Sequence, residues 1–346
     1  MARRSFAEFG NALYTGEKSI DFVGRRKIWY TISAVLILIA LVGPFLRGGF
    51  TFGIEFTGGS QFQVHIADGQ ERDPGVALDA VETVLPGSAP RVSLVGQTDV
   101  RVQTEQLEDN QSRQLHGALA EAYGVDEGEV TASYIGASWG QDITRQALVG
   151  LVVFILFAAL IMALYFRTWK MSLAALTALF HDLIITAGIY GISGFEITPA
   201  AVIGFLTILG YSLYDTVVVF DKIRENTASG ELTERRTFGE AVNLGVNQTL
   251  VRSINTSVVA VLPVGSILFI GAFILGAGTL RDIALALFIG ILVGAYSTIF
   301  IAAPVYAQLR HNEPAIKKHD ARVLKLRAQE KGRTEGAERT EDQAIV

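Results

Sequence analysis

The segment ITPAAVIGFLTILGYSLYDTVVVF, residues 197–220, contains one charged side chain, Asp215, in 24 positions. Roughly 20 apolar residues in a helix cross the hydrocarbon core of a membrane, and a helix satisfies its own backbone hydrogen-bonding groups there. Five further stretches are similarly poor in charge, namely residues 28–46, 146–166, 171–195, 253–280 and 283–309. We therefore predict an α-helical polytopic membrane protein with six transmembrane helices.

The composition excludes several other classes of protein. Half of the 346 residues are hydrophobic and 18% are charged, against about 25% charged residues in ordinary soluble domains. The chain has no cysteine, which excludes disulfides, thiolate metal ligands and cysteine nucleophiles. The net charge of −5 gives no reason to expect a nucleic-acid partner.

The sequence also lacks catalytic and cofactor-binding motifs. It contains no phosphate-cradling glycine loop and no H-E-x-x-H zinc motif. The five histidines are scattered along the chain, at His65, His116, His181, His311 and His319. We therefore expect no enzymatic activity, no catalytic residues, and neither a cofactor nor a metal.

The distribution of Lys and Arg predicts the orientation. If both termini lie inside the cell, 22 of the 29 Lys and Arg residues lie on that side, as the positive-inside rule expects for a cytoplasmic face. Arg25, Arg26 and Lys27 precede the first apolar stretch, so this stretch is either a retained signal anchor or a cleaved signal peptide. Residues 43–47 offer no small-residue cleavage site, which favours the anchor.

The domain organisation follows from these spans. A cytoplasmic segment, residues 1–27, leads into the first helix, residues 28–46. Residues 47–145 form an exported domain, whose pattern of strand, helix, strand, strand, helix and strand is that of a ferredoxin-like α+β domain. The five-helix region then covers residues 146–309, with a cytoplasmic connector at 221–252, and residues 310–346 form a basic cytoplasmic tail that we predict to be disordered.

Carboxylates inside the predicted helices are candidate functional residues, because a charge at the centre of a spanning helix costs about 3 kcal/mol on insertion scales. Asp215, with Ser212 one turn away, lies roughly 9 Å deeper than Asp221 by helical rise; alternatively, it reaches water at the inner interface. Asp182 lies near the middle of its stretch beside His181. Its alternative role is a structural hydrogen bond to another helix.

The start of the fifth stretch is open to two interpretations. Arg252 is either an anchor at the helix end or, if the helix begins within the uncharged residues 241–251, a charge inside the membrane with Asn255 and Thr256 on the same face. A desolvated arginine needs a counter-ion, and Asp215 is the nearest candidate. In the sixth stretch, the spacing of Gly290 and Gly294 allows two helices to approach closely.

Several blocks of the sequence carry a family resemblance. They are residues 210–226 (GYSLYDTVVVFDKIREN), 247–257 (NQTLVRSINTS), 52–59 (FGIEFTGG), 280–287 (LRDIALAL) and the pair His181-Asp182. Together they resemble the bacterial SecF family of protein-export membrane subunits, from about residue 18 to residue 310. Tyr214 stands where that family usually has Asn, and Glu55 where it usually has Asp.

The resemblance implies a resistance-nodulation-division architecture, in which SecD and SecF each supply six helices and an exported domain in the bacterial cytoplasmic membrane. It implies that the pair works beside the SecYEG channel, often with YajC, and uses the proton- or sodium-motive force to export unfolded preprotein after the SecA ATPase. It also implies an ion pathway through Asp215, Arg252 and Thr256. We expect the supporting intramembrane polar residues to be His181, Asp182, Ser212 and Asn255.

We therefore interpret the chain as a SecF-like subunit of an ion-driven export motor, surrounded by membrane lipid, with Asp215 as the titrating group and Arg252 as its switchable partner. Two alternatives remain: a non-coupling scaffold of the translocon, and a small-molecule efflux subunit of the same superfamily. Six helices offer little interior to shelter these charges. We therefore expect SecD to bind through the fourth to sixth spans, near Gly290 or Gly294.

Overall fold

The computed structural model describes residues 6–67, 71–228, 235–271 and 278–344. Within these ranges it contains six helical segments that are long and apolar enough to cross a membrane. The helices are α1 (Phe6–Thr15), α2 (Arg26–Leu46), α3 (Ile54–Thr57), α4 (Pro74–Val84), α5 (Asp109–Tyr123), α6 (Ala137–Phe166), α7 (Trp169–Ser193), α8 (Pro199–Ala228), α9 (Phe238–Ser266), α10 (Gly278–Ser297), α11 (Ala303–His311) and α12 (Pro314–Ala344). The strands are β1 (Thr51–Phe52), β2 (Gly59–His65), β3 (Arg91–Val95), β4 (Asp99–Thr104), β5 (Val130–Ile135) and β6 (Glu196–Ile197).

The fifth and sixth spans each contain a π-helical turn. The fifth span is α9 followed by the turn Ile267–Gly271, and the sixth joins α10 to α11 through the turn Thr298–Ala302. A π-turn widens the helical hydrogen-bond pattern and often lies at a functional site. The turn in the sixth span carries one of the buried polar residues described below.

The domain that we predict to be exported, within residues 47–145, is a four-stranded antiparallel sheet covered on one face by α4 and α5. The strand order is β3-β4-β2-β5, which is the ferredoxin-like arrangement. Val100 and Val102 on β4 are fully buried in a core shared with Leu115 and Leu119 of α5. Because side chains alternate along a strand, Arg101 lies on the opposite, helix-free face. The predicted fold, six membrane helices with one ferredoxin-like domain, is confirmed.

Helix α8 lies at the centre of the helical bundle and packs against α7, α9 and α10. Glycine residues at the contacts allow these helices to lie close together. A Cβ at Gly204 of α8 would lie 2.6 Å from the Cβ of Ala286 on α10, and one at Gly245 of α9 would lie 3.0 Å from the Cα of Ile223 on α8. Glycine at such points lets helix backbones approach closely in a membrane.

The fifth helix begins at Phe238, which agrees with the alternative in which the helix starts before Arg252. Its first turn has a capping box, in which Glu240 accepts a hydrogen bond from the Thr237 backbone N–H at 2.9 Å and donates its own N–H to the Thr237 hydroxyl at 3.4 Å. The uncharged residues 241–251 continue the helix, so Arg252 lies inside the span. Within the predicted connector, residues 221–252, residues 229–234 lie outside the described residues.

The tail corrects the prediction of disorder, because residues 314–344 form helix α12. Ile316 and Val323, two turns apart, are both buried, and Asp320 between them accepts a hydrogen bond from the Phe238 backbone N–H at 2.8 Å. This narrow apolar stripe docks the first half of α12 on the start of α9. Two apolar side chains are too few to mark such a stripe in the sequence.

Candidate intramembrane ion site

Asp215 of α8 is 5% exposed and binds one side chain in the described part of the molecule. The Ser253 hydroxyl on α9, itself buried, donates to Asp215 Oδ1 at 2.8 Å and to Oδ2 at 3.0 Å. A buried carboxylate without such a donor would be strongly unfavourable. Ser253 is therefore the residue that allows Asp215 to lie between the two helices.

Arg252 does not pair with Asp215 in this structure, and its role as a switchable partner stays a prediction. Its side chain is exposed, and it forms no ion pair with any residue in the described ranges. Successive residues of a helix point about 100° apart, and in this structure Ser253 rather than Arg252 contacts α8. Asn255 is likewise exposed, and the Thr256 hydroxyl donates to the Arg252 carbonyl at 2.8 Å.

A second buried carboxylate, Asp182 of α7, is 1% exposed and connects α7 to α8. The Ser212 hydroxyl donates to Asp182 Oδ2 at 2.6 Å, and His181 Nδ1 lies 3.2 Å from Asp182 Oδ1. The His181 ring stacks on Tyr296 with 5.8 Å between centroids, while its Nε2 has no hydrogen-bond partner among the described residues. The structure thus brings His181, Asp182 and Ser212 together.

The buried hydroxyl groups of Thr216 and Thr298 lie between the contacts of Asp182 and the contacts of Asp215. Thr216, the neighbour of Asp215 in α8, donates to the Ser212 carbonyl at 3.0 Å, and its hydroxyl lies 3.1 Å from that of Thr298. Thr298 belongs to the π-turn of the sixth span. Helix α8 therefore carries Asp215 itself and also Ser212, the hydrogen-bond donor to Asp182.

Sequence reasoning missed Ser253 and Thr298. A signal for Ser253 was available, because Thr249, Ser253 and Ser257 recur at every fourth position of α9 and all three are buried. Small polar residues at helical spacing in an apolar span indicate a face that packs against another helix. No comparable periodicity marks Thr298.

Gly290 and Gly294 of α10 face α8 of the same chain, so the close approach of two helices predicted at this spacing occurs within the bundle. A Cβ at Gly290 would lie 2.8 Å from Ile208 Cγ2, and one at Gly294 would lie 3.3 Å from Ser212 Cβ and 3.6 Å from Asp182 Oδ2. The two glycines therefore hold α10 close to the polar network.

The chemistry available to this site is proton exchange at carboxylates. Each carboxylate has a serine hydroxyl partner, and a hydroxyl can either donate to a carboxylate or accept from a carboxylic acid. In the ranges that the structure describes, no three His, Asp or Glu residues are grouped as a metal site. The site thus combines two buried carboxylates with one unpaired arginine on an outer face.

Comparisons with known proteins agree on one family. The sequence profile "Protein export membrane protein SecD/SecF, C-terminal" matches residues 116–312. The protein translocase subunit SecF of Streptomyces coelicolor is 44% identical over 337 residues, which cover 96% of this chain and 88% of that protein. SecF of Mycobacterium tuberculosis is 42% identical, with 92% of this chain and 73% of that protein covered.

A solved structure matches as well. The crystal structure of SecDF from Thermus thermophilus, described as a translocon-associated membrane protein, aligns with a TM-score of 0.72 and 30% identity. The match covers 85% of this chain and 39% of the SecDF chain. The present chain thus spans about two fifths of the length of that protein.

Proposed function

This chain belongs to the SecF family of protein translocase subunits, and from that premise we propose that it uses an ion-motive force to promote late stages of protein export. It is a multi-pass membrane protein, and we place it in the bacterial cytoplasmic membrane with both termini in the cytoplasm. The observation that carries the proposal is Asp215, a carboxylate 5% exposed within a spanning helix and bound by a neutral hydroxyl.

Asp215 can change charge without losing its hydrogen bond. When Asp215 is ionised, the Ser253 hydroxyl donates to it, and when Asp215 is protonated the same hydroxyl can accept. One charge that crosses 100 mV releases about 2.3 kcal/mol, which biases a conformational equilibrium about fifty-fold. In this proposal Asp215 is the titrating group, and Arg252 and Thr256 complete the pathway in a state that brings them to it.

The exposed position of Arg252 supports a second membrane protein as partner. An arginine at the centre of a spanning helix costs about 2.5–3.5 kcal/mol on insertion scales when it faces lipid, and Val259 and Leu262 on the same helix are also largely exposed. A protein surface with a carboxylate would compensate the charge and cover these side chains. We propose that SecD provides this surface.

The remaining partners follow from the proposed function. SecYEG supplies the channel, SecA the preceding ATP-driven step, and unfolded preprotein the substrate, while YajC is an accessory member. Neither a cofactor nor an enzymatic reaction is required, because the energy comes from the coupling ion, H⁺ or Na⁺. We assign H⁺ because Asp215 has a single hydroxyl partner among the described residues and can take up a proton there.

Ion uptake by the complex in vesicles tests this proposal. We expect uptake of H⁺ through the complex with SecD to be abolished by Asp215→Asn and retained by Asp221→Asn, since Asp221 lies outside the buried network and bonds the Tyr165 hydroxyl at 2.8 Å. Uptake of Na⁺ instead would change the assigned ion. Uptake that is unaffected by Asp215→Asn would contradict the assigned pathway.

A further inference from the structure

The connection between α7 and α8 is tied to the exported domain by a partly buried ion pair, and we propose that this pair passes motion of the two helices to the domain. Arg101 of β4 and Glu196 of β6 form the tie, with Nη1 and Oε2 3.2 Å apart. The inference rests on the proposed ion-driven function. It assigns positioning residues for the coupling between ion movement and domain movement.

The two helices are the ones that carry the carboxylates. Asp182 lies on α7 and Asp215 on α8, and β6 forms part of the short connection at their outer end. A rearrangement around either carboxylate that shifts α7 or α8 along its axis therefore displaces Glu196. The connection contacts the exported domain through Arg101 and Gln103.

The contact with the domain is polar and well enclosed. The Arg101 and Glu196 side chains are 13% and 12% exposed, and Gln103 Nε2 donates to Glu196 Oε1 at 2.6 Å. Arg101 and Gln103 are alternate residues of β4, on the sheet face that α4 and α5 leave uncovered. The sheet thus contacts the α7–α8 connection through polar groups that are largely shielded from solvent. An ion pair in such a place is stronger than one on an exposed surface.

Two further contacts make the connection a rigid junction. Strand β1, which precedes the domain, pairs in parallel with β6, and the Gly53 N–H donates to the Ile197 carbonyl at 3.0 Å. On the membrane side, the Thr198 hydroxyl donates to Asp282 Oδ2 at 2.9 Å. The connection is therefore held by the domain on one side and by α10 on the other.

The domain has a second fixed point at α6. A Cβ at Gly58 would lie 2.9 Å from Ala137 Cα, and a Cβ at Gly140 would lie 2.6 Å from the Phe56 carbonyl oxygen. Backbone thus packs directly on backbone between α3 and α6. By contrast, Gly48 and Gly49 after α2 have φ of +103° and +105° with no atom within 4 Å of a Cβ built on either, a conformation that favours glycine.

These attachments make the domain a lever. The packing of α3 on α6 is the fulcrum, and the Arg101–Glu196 pair is the point at which the α7–α8 hairpin acts. A cavity of about 680 Å³ beside the pair, bordered by Leu94 of the domain and Phe288 of α10, leaves room for the domain to tilt. Displacement of the hairpin relative to α6 then rotates the sheet.

Neutralising the pair should separate ion uptake from export. In vesicles that contain the complex with SecD, we expect Arg101→Gln and Glu196→Gln to reduce export about tenfold or more while Asp215-dependent proton uptake continues. The matched control is Arg91→Gln, because Arg91 lies on the neighbouring strand outside the pair and makes one long hydrogen bond, 3.4 Å, to the Phe52 carbonyl. The double variant Arg101→Glu with Glu196→Arg should recover part of the export.

Normal export by both single variants would overturn the lever, even where proton uptake still depends on Asp215. Proton uptake that is absent from the unmodified complex, or that does not depend on Asp215, would instead refute the proposed function. The two failures are thus distinguishable.

A covalent bridge provides a second test that does not depend on charge. The chain has no native cysteine, so Arg101→Cys with Glu196→Cys can be joined selectively by a short bis-maleimide. We expect the unbridged double variant to take up protons without export, and the bridge to restore export. A bridged protein that still fails to export would contradict the proposal that a connection between positions 101 and 196 passes motion to the domain.

Discussion

Replacement of Gly290 by alanine tests the packing that positions the polar network. The added Cβ would overlap Ile208 Cγ1 and would lie 2.8 Å from Ile208 Cγ2, closer than a real Cβ approaches another heavy atom. Ile208 is itself buried, so either its side chain or the whole of α10 must move. Overpacking of this kind costs about 1–3 kcal/mol, partly offset by a gain of about 1 kcal/mol in helix propensity.

A matched control isolates the cost of the contact. Gly150 of α6 is also helical, and a Cβ there would have no neighbour within 4 Å, so Gly150→Ala carries only the propensity gain. We therefore expect Gly290→Ala to lower the free energy of unfolding by about 1–3 kcal/mol relative to Gly150→Ala. Reversible unfolding in mixed micelles, followed by circular dichroism, measures the difference. Equal stability of the two variants would refute the close packing of α10 on α8.

Three further predictions concern individual side chains. Arg252→Ala should reduce gradient-driven export more than Arg252→Lys, since Lys retains the charge, whereas equal and near-normal export by both would favour an anchor at the helix. Ser212→Ala should lower the free energy of unfolding by about 1–3 kcal/mol through loss of the donor to Asp182, and a loss no larger than that of the exposed Ser266→Ala would contradict this contact. Burial raises the pKa of the Glu55 carboxyl. The stability that the protonated carboxyl contributes is therefore complete below the ordinary pKa of glutamate and is lost as pH rises through the raised pKa. Thermal unfolding from pH 4 to pH 8 should therefore show a smaller loss of stability in Glu55→Gln, and parallel curves for the two proteins would contradict it.

The elements that sequence could predict are those fixed by local pattern. Length and lack of charge identify the six helices, and alternating side chains identify the strands of the exported domain. Boundaries were less predictable, because the fifth helix continues through the uncharged residues 241–251 back to its capping box at Thr237. Helix α12 docks through Ile316 and Val323, and two buried side chains give little periodic signal.

The partners within the site could not be predicted, because they depend on how the helices are rotated. The rarity of charge in a span identified Asp215 and Asp182, but the choice between Arg252 and Ser253 as the neighbour of Asp215 depends on a turn of about 100°. Likewise, the pairing of Arg101 with Glu196 joins two residues that are far apart in sequence and lie in different domains. Such contacts follow from tertiary packing rather than from spacing.

The central claim, that a titrating Asp215 couples an ion gradient to export, is tested most directly by gradient-driven completion of export. Preprotein is arrested in SecYEG vesicles that contain SecD and this chain, ATP turnover by SecA is stopped, and a proton gradient is imposed. We predict that the unmodified chain and Asp221→Asn complete export, while Asp215→Asn is inserted normally and leaves the preprotein arrested. Completion at the same rate with Asp215→Asn would contradict the account.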